Sequence, residues 1–288
     1  MHHLLSRPGS SAIRFIAHPR SFLLSNLRAA SDPNHFGQVH HLLRNTGLVR
    51  LQLSFSDNES AYLQNLLQKL HKHHGHGLPI THSAQRGWMW DIRPSPDSFQ
   101  SHHCQARSET MEEFPWHTDC SYERCPPRYF ALQVLQPDRC GGGTLSVLNA
   151  DRLLSLLSPG ARKWLSSPSF RITVPPEFTK DEGERSIRGS LLAIHRSGPR
   201  LRFREDIISP LHPAAEGALM ELKSVLLDPS AQAQVVNLTA HDLPQGSIIL
   251  MDNGRWLHAR NEVKDPQRHL RRVRWDAKPF LAQNVAVL

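Results

Sequence analysis

The sequence lacks any long apolar run. None of its 288 residues falls in a stretch of 18 consecutive apolar residues, which excludes an ordinary transmembrane helix. Blocks of like charge are also missing, because the 34 Lys and Arg and the 26 Asp and Glu are scattered along the chain. No helix-turn-helix, zinc-finger or RNP motif occurs. The sequence therefore predicts neither a membrane partner nor a nucleic-acid partner, and its net charge of +8 instead favours small anionic ligands.

Cysteine is scarce, with only four residues in the chain and no CxxC pair. The sequence also has no secretory signal, so we expect reduced thiols in an intracellular, cytoplasmic protein. Residues 1–31 contain four arginines and no acidic residue, as mitochondrial transit peptides do. Pro8, Gly9 and Pro19 would interrupt an amphipathic helix there. We therefore interpret residues 1–31 as a basic N-terminal extension and residues 32–288 as one domain.

Short strand patterns separated by turn signals dominate the domain, and few helices interrupt them. This pattern predicts a mainly β fold with helical inserts, a β-sandwich or jelly-roll barrel. The run Ser56-Asp57-Asn58-Glu59 has the form of a capping box, which predicts a helix beginning there. That helix should end in the His-rich run 71–77, whose cationic side chains and glycines suit a helix C-terminus better than a metal site. The polar segment from Pro175 to Gly189 predicts a surface loop.

Two distant stretches carry candidate metal ligands. His117 and Asp119 are two residues apart, so on an extended strand their side chains would point the same way. His258 follows the strong turn signal Asp252-Asn253-Gly254 and could supply a third ligand. Two His and one carboxylate form the facial triad that binds non-haem Fe(II) and leaves coordination positions open for substrates. Because the chain contains 19 His, the pair alone is weak evidence, and the order of several motifs matters more.

The order of four motifs resembles the taurine dioxygenase, clavaminate synthase and γ-butyrobetaine hydroxylase superfamily. The resemblance covers roughly residues 32 to 280. The motifs are Trp116-His117-Thr118-Asp119, Gly142-Gly143-Thr144, Asp252-Asn253 with His258 after four intervening residues, and Arg268-His269-Leu270. Members of this superfamily are Fe(II)- and 2-oxoglutarate-dependent oxygenases on a double-stranded β-helix, or jelly roll. The resemblance therefore implies this fold, and Fe(II), 2-oxoglutarate and O2 as cofactor and cosubstrates.

The resemblance also implies a role for each matching residue. His117, Asp119 and His258 match the iron ligands. Thr144 and Arg268 match the hydroxyl and the guanidinium that bind the distal carboxylate of 2-oxoglutarate, and a planar guanidinium suits a carboxylate because it donates two hydrogen bonds at once. Arg272 matches an arginine that binds the acid group of the substrate. The implied reaction oxidises an unactivated C–H bond of a small carboxylate-bearing metabolite and releases succinate and CO2.

Some assignments stay open at this point. Alternation along a strand places Arg268, Arg272 and Arg274 on one face and Arg271 on the other, but a β-bulge would shift the role from Arg268 to Arg271 or Arg272. Two other functions remain alternatives: a cupin-like metal oxygenase or isomerase that does not use 2-oxoglutarate, and an inactive barrel that binds anions or nucleic acid. The substrate pocket draws on six candidates: Trp88, Trp90, Trp116, Tyr122, Arg204 and Arg272.

Overall fold

The computed structural model describes residues 19–81, 87–94, 105–179, 183–195 and 198–281. The strands are β1 (Arg20–Leu24), β2 (Leu48–Leu53), β3 (Trp90–Ile92), β4 (Phe114–His117), β5 (Pro127–Gln136), β6 (Leu145–Asn149), β7 (Phe170–Thr173), β8 (Ser186–Gly189), β9 (Leu192–His195), β10 (Gly198–Leu201), β11 (Ile208–Pro210), β12 (Val236–Leu238), β13 (Ser247–Asp252), β14 (Trp256–Arg260) and β15 (His269–Ala277). The α-helices are α1 (Pro33–Asn45), α2 (Ala61–His74), α3 (Ala150–Ser155), α4 (Pro159–Leu165), α5 (Pro213–Leu227) and α6 (Pro229–Gln232).

Two sheets form the centre of the fold. The major sheet has six strands in the order β1-β2-β13-β5-β15-β3, and the minor sheet has four in the order β12-β6-β14-β4. Phe130 and Ile249 of the major sheet pack in one buried cluster with Leu145 and Val147 of the minor sheet. Because side chains alternate along a strand, this inner cluster leaves the other face of the major sheet to pack elsewhere.

Helices α1 and α2 cover the outer face of the major sheet. Strand β13 is buried along its whole length. Its Ile248 and Leu250 pack in the cluster formed with α1 and α2, whereas its Ile249 and Met251 belong to the cluster between the sheets. A strand covered on both faces reads as a continuous apolar run, which is how residues 248–251 appear in the sequence. None of the helices in the described ranges has the length and apolar character needed to cross a membrane.

The N-terminal boundary differs from the prediction. Strand β1 lies within residues 1–31 and pairs in parallel with β2, with Phe22 opposite Leu51. Leu24 and Ala30 are buried in the cluster with α1 and α2. Residues 20–31 thus pack as part of the domain rather than as an extension, because this edge of the sheet and the end of α2 supply an apolar surface that the sequence composition alone does not reveal.

The start of α2 also differs from the prediction. The helix begins at Ala61, and Ser60 before it adopts a left-handed conformation without capping through its side chain. Asp57 instead accepts hydrogen bonds from the backbone N–H groups of Ala61 and Tyr62, at 2.8 and 2.9 Å. The predicted capping box of Ser56 and Glu59 does not form, because the turn at Ser60 delays the helix and brings the Asp57 carboxylate over its first turn. The C-terminal prediction is confirmed, since α2 ends at His74 with left-handed Gly75 as its cap.

This cap gives a direct prediction for stability. Asp57→Ala should lower the free energy of unfolding by about 1–2 kcal/mol, because two N–H groups of α2 lose their acceptor. Glu59→Ala is the matched control and should change it by less than about 0.5 kcal/mol. Urea unfolding followed by circular dichroism measures both. An equal loss in the two variants would contradict the cap assignment.

The segment from Pro175 to Gly189 is more ordered than the predicted surface loop. Residues 176–178 form a 3-10 turn that buries Glu177, and β8 pairs with β7 so that Ile187 lies opposite Ile172. Both isoleucines belong to a third buried cluster, which α3, α4 and α5 share with these strands. Residues 180–182 lie outside the described residues. The polar composition misled the prediction because β8 is short and buries only alternate residues.

Candidate active site

His117 and His258 are direct neighbours across two strands of the minor sheet. His117 is the last residue of β4, and it lies opposite His258 in the antiparallel pairing of β4 with β14. The two imidazole centroids are 4.1 Å apart. A pair at opposing positions of a ladder brings its side chains together on one face. The strand pairing therefore joins two histidines that are more than a hundred residues apart in the sequence.

Asp119 completes the group, but it does not lie on the strand as predicted. It follows β4 in a turn in which Cys120 is left-handed. The side chain of Asn253 holds this turn: its Oδ1 accepts from the backbone N–H of Asp119 at 2.7 Å, and its Nδ2 donates to the carbonyl of Asp119 at 2.9 Å and to that of Pro127 at 3.0 Å. The sequence indicated Asn253 only as part of the motif that leads to His258. The Asp-Asn-Gly turn signal was the available clue that its amide supports the site.

The clamp made by Asn253 can be tested on its own. Asn253→Ala should lower Fe(II) affinity by about 10- to 100-fold, because the Asp119 carboxylate loses its fixed position. It should also lower the thermal stability, since buried backbone groups lose their partners. Asn237→Ala is the matched control, because Asn237 is exposed on β12 and bonds Ser146. Anaerobic Fe(II) titration measures both variants, and wild-type Fe(II) affinity in Asn253→Ala would contradict the role.

The three side chains converge on one point. The Asp119 Oδ1 atom lies 3.9 Å from the Nε2 atom of His117 and 3.7 Å from that of His258. One ligand atom from each residue lies within 4.8 Å of the others, and all three residues are buried. No other such group of three or more His, Cys, Asp or Glu occurs in the described part of the chain. This spacing suits one metal ion bound by all three side chains.

Protonation also suits a metal. Burial, and then the adjacent His258, lower the pKa of His117 well below its ordinary value, so its imidazole is neutral. Its Nδ1 atom lies 2.8 Å from the carbonyl oxygen of Pro115 and donates to it, which leaves the Nε2 lone pair for a metal. Burial raises the pKa of Asp119, but Arg272 and the two imidazoles outweigh it, and the pKa lies well below its ordinary value. Two imidazoles and one carboxylate are the donor set that fits Fe(II).

A cavity of about 80 Å³ opens beside these ligands, and Arg268 lines it together with His117, Asp119 and His258. Arg268 is buried, and no carboxylate among the described residues forms an ion pair with it. Asp138 comes near but already accepts four backbone N–H groups. Burial, and then Arg260, lower the pKa of Arg268 to about 10, so it keeps its charge at neutral pH. A buried cation without a partner beside a metal site is suited to an anionic ligand.

The backbone of the glycine run, at Gly142 and Gly143, packs closely against Arg268 and its surroundings. A Cβ atom on Gly143 would lie 2.9 Å from the Nε atom of Arg268, and one on Gly142 would lie 2.5 Å from the carbonyl oxygen of Glu262. The close approach therefore requires glycine at both positions. Thr144 is not among the residues that line the cavity. Its neighbours Gly143 and Leu145, the latter being the first residue of β6, do line the cavity.

The last strand shows both the predicted alternation and a bulge. The register of β15 against β5 shifts between His269 and Leu270. Arg268, Leu270 and Arg272 nevertheless line the same cavity, whereas Arg271 lies on the other face and binds Asp91 at 2.7 Å. The bulge falls between His269 and Leu270, and it does not move Arg271 into the cavity.

Arg272 directly contacts Asp119, one of the three candidate metal ligands. Its Nη1 atom donates to both carboxylate oxygens of Asp119, at 3.1 and 3.0 Å. Its guanidinium also stacks over the Trp90 ring at 4.2 Å. The Nε atom is buried without a hydrogen-bond partner. Arg272 therefore supports Asp119 in this structure while keeping donors for a further anion.

A second cavity lies on the other side of His117 and Asp119. Arg272 also lines it, together with Tyr122, Glu177, Arg204 and Ser121. The Nη1 atom of Arg204 lies 3.7 Å from Glu177, and both side chains are largely buried. The Ser121 hydroxyl is buried without a hydrogen-bond partner. Opposite charges and a free hydroxyl next to the triad suit a small polar substrate.

The predicted pocket residues divide into two groups. Tyr122, Arg204 and Arg272 line the second cavity. The Trp90 ring stacks on the Arg272 guanidinium. Trp88 packs in the hydrophobic cluster with α1 and α2, and Trp116 packs in the cluster with α3 to α5. Glu177 was missed, because it lies in the segment interpreted as a surface loop.

Solved structures with this fold contain iron enzymes. An asparagine oxygenase in complex with Fe(II), 3-hydroxyasparagine and succinate has a TM-score of 0.65 and 22% identity over 84% of this chain and 79% of that chain. The non-haem iron oxygenase OrfP with Fe and α-ketoglutaric acid has a TM-score of 0.61 and 19% identity over 88% of this chain and 93% of that chain. OrfP with Fe, succinate and (3S)-hydroxy-L-Arg has a TM-score of 0.62 and 19% identity over 86% of this chain and 84% of that chain. The predicted mainly β jelly-roll fold is confirmed.

Curated protein sequences contain no match to this chain. A family model, in contrast, matches residues 8–274, nearly the whole chain, and is described as the taurine catabolism dioxygenase TauD, TfdA family. The predicted enzyme class, an Fe(II)- and 2-oxoglutarate-dependent dioxygenase, is confirmed by this match. The dioxygenase is therefore favoured over the cupin-like oxygenase and the inactive barrel, the two alternatives that the sequence left open. The extent of the match, together with the motif order, establishes that the chain belongs to the taurine catabolism dioxygenase TauD, TfdA family.

Proposed function

We propose that this dioxygenase oxidises an unactivated C–H bond of a small zwitterionic substrate, an amino acid or a close relative. The observation that carries the proposal is the second cavity, where the buried Glu177 carboxylate lies 3.7 Å from the Arg204 guanidinium next to the triad. Arg204 also pairs with Asp206 at 2.8 Å, which fixes its position. Glu177 would accept the ammonium group of the substrate, and Arg204 or Arg272 its carboxylate. The asparagine oxygenase and OrfP support this substrate class, since both were solved with hydroxylated amino acids.

The ligand roles follow from the donor set. His117, Asp119 and His258 would hold Fe(II), and Arg268 would pair with the distal carboxylate of 2-oxoglutarate in the first cavity. Thr144 stays a prediction for the same carboxylate, and its neighbours Gly143 and Leu145 line the first cavity. When bound, Fe(II) with 2-oxoglutarate supplies the oxygen activation that oxidises the C–H bond and yields succinate and CO2.

The protein itself positions the substrate and excludes water. The Phe114 ring stacks on the His117 imidazole at 3.6 Å, and the Phe130 ring lies 4.7 Å from that of His258. These apolar walls limit solvent beside the ligands, which strengthens polar interactions within the site. Holding the target carbon near the metal is the main task of the second cavity, because the chemistry needs no protein nucleophile.

The substrate class can be tested by removing one charge of the pair. Arg204→Gln should raise the KM for an amino-acid substrate by about 10-fold or more, because one charge-assisted hydrogen bond is lost, while the KM for 2-oxoglutarate stays unchanged. Arg171→Gln is the matched control, since Arg171 is exposed on β7. Substrates are found first by screening amino acids for substrate-dependent succinate release. Turnover confined to substrates without an amino group, or equal KM values in the two variants, would contradict the proposal.

The expected compartment rests on the thiols. Cys120, Cys125 and Cys140 are free, and Cys104 lies outside the described residues. Three free thiols in one fold suit the reducing environment of the cytoplasm, which we propose as the site of the reaction.

A further inference from the structure

A basic cleft opens on the outer face of the major sheet, on the side opposite the active site. It has a volume of about 700 Å³ and is lined by the ends of α1 and α2, the start of β5 and the end of β15. Tyr129 of β5 faces this cleft, whereas its neighbour Phe130 faces the first cavity. We infer that this basic cleft is a second binding site, specific for an oxyanion of the phosphate or sulfate type and separate from the active site.

The charge balance of the cleft is strongly positive. Arg44, Arg128, Arg255 and Lys278 line it, and Asp276 is the single acidic residue among its lining residues. Lys278 pairs with Asp276 at 3.1 Å, so these two charges largely cancel. Of the three arginines, Arg44 has no ion pair with a described carboxylate, Arg128 has only long contacts, and Arg255 lies 3.8 Å from Asp151 behind the wall. The lining itself thus keeps an excess of positive charge, which favours an anionic ligand.

Arg128 is the central candidate. Its side chain is 22% exposed, and it makes no hydrogen bond to any described residue, while its Nε atom is buried without a partner. The nearest carboxylate oxygens belong to Asp252 at 3.7 Å and Asp276 at 4.0 Å, both beyond hydrogen-bond distance. Its guanidinium stacks over the Tyr129 ring at 4.7 Å, which holds its plane in place. A fixed guanidinium with unused donors is suited to a tetrahedral oxyanion.

A chain of hydrogen bonds from Trp275 through His76 fixes the tautomer of His40 and leaves it one free N–H donor. Burial, and then neighbouring His and Arg side chains, lower the pKa of both His40 and His76 to about 4, so both are neutral. The Trp275 indole can only donate, and it bonds the Nδ1 atom of His76 at 3.1 Å. The proton of His76 is therefore on Nε2, which lies 2.9 Å from the Nδ1 atom of His40. The remaining proton of His40 must lie on Nε2, for which no described residue is an acceptor.

A second imidazole, that of His74, packs against His40 in the wall of the cleft. The His74 ring stacks on that of His40 with centroids 4.1 Å apart and planes at 9°. Its Nε2 atom is buried and has no hydrogen-bond partner. The Nε2 atom of His74 is therefore not a donor to a ligand in the cleft, and the role of His74 is to hold the His40 ring by stacking.

The same hydrogen bonds argue against a metal in the cleft. The Nδ1 lone pairs of His40 and His76 are already used, and the described residues contain no metal-like group here. The carbonyls at the end of α1, those of Arg44 and Asn45, are also satisfied, because Arg255 donates to both at 3.0 Å. The free groups identified in the cleft, the Arg128 guanidinium and the Nε2–H of His40, are donors rather than acceptors.

Titration of the full-length protein with sulfate tests the inference, since sulfate keeps two negative charges across the working pH range. Isothermal titration calorimetry at low ionic strength should show one saturable site. Arg128→Gln and His40→Gln should each weaken it about 10-fold or more, since each removes a donor to a charged ligand. Arg128→Lys should retain part of the affinity, and Arg171→Gln is the matched control with unchanged binding. Inorganic phosphate should compete for the same site.

One further variant separates this site from the active site. Arg268→Gln removes the free cation of the first cavity, and we expect sulfate to bind the basic cleft of this variant as it binds the wild type. Loss of sulfate binding in Arg268→Gln, or equal affinities in Arg128→Gln and Arg171→Gln, would overturn the inference, as would a titration that does not saturate. None of these readouts uses enzyme activity, so the result is independent of the proposed substrate. Thermal unfolding confirms that each variant is folded.

Discussion

His258→Ala should abolish substrate-dependent succinate formation and lower Fe(II) affinity by more than about 100-fold. Loss of a residue that only supports a ligand costs about 10- to 100-fold, and loss of the ligand itself should cost more. The remaining His117 and Asp119 could hold the metal only on one side, beside a cavity left by the missing ring. Coupled assays of succinate release at saturating Fe(II) and 2-oxoglutarate measure turnover, and anaerobic titration measures Fe(II) binding.

A control separates metal loss from unfolding. His258 is buried in the centre of the minor sheet, opposite His117, so His258→Gln, which keeps most of the side-chain volume, should fold even if the alanine variant does not. His41→Ala removes an exposed imidazole of α1 that bonds Asn45 alone and should leave turnover unchanged. Turnover within a few-fold of wild type in a folded His258→Gln protein, or in metal-stripped wild type, would refute the triad.

Arg268→Gln should raise the KM for 2-oxoglutarate by about 100-fold while changing the KM for the oxidised substrate little. A bidentate arginine–carboxylate contact contains two charge-assisted hydrogen bonds, and their loss costs roughly 3 kcal/mol, which corresponds to this factor. Burial strengthens the effect, because water enters the first cavity poorly and cannot replace the guanidinium. Steady-state kinetics with each substrate varied in turn separate the two KM values.

Arg271→Gln is the control for this prediction. Arg271 precedes Arg272 on β15, but its side chain lies on the other face of the strand and pairs with Asp91. Its loss should lower stability slightly and leave the KM for 2-oxoglutarate unchanged. If the Arg271 variant instead showed the larger increase, the cosubstrate would be bound from the opposite face and the assignment of Arg268 would be wrong.

Motif order predicted much of the site. His117 and Asp119, the glycine run, His258 and Arg268 were all selected from the sequence, and the structure brings His117, Asp119, His258 and Arg268 to one cavity. Strand periodicity was sufficient for the last strand, because Arg268 and Arg272 do share a face. The role of Thr144 stays a prediction, since the motif names a residue type and a spacing but does not say which way its side chain points.

Other parts required the tertiary structure. The amide of Asn253 reaches Asp119 across 134 positions of the chain, and no local pattern predicts such a contact. The Arg272 guanidinium was predicted as a substrate ligand, yet it also binds the Asp119 carboxylate. Glu177 was hidden in a polar segment, and its burial became visible only when β7 and β8 were seen to pair. Long-range packing decided each of these positions.

By itself, the sequence determined the fold class, the donor types of the metal site and the enzyme family, because these depend on residue identity, alternation and motif order along the chain. Only the tertiary structure decided which cavity each charge faces, how the Asp119 turn is held, that residues 20–31 pack with the major sheet, and that a basic cleft forms on the far side of that sheet. The physical reason is that burial and pairing, which decide whether a charged group has a partner, arise between segments that are far apart in the chain.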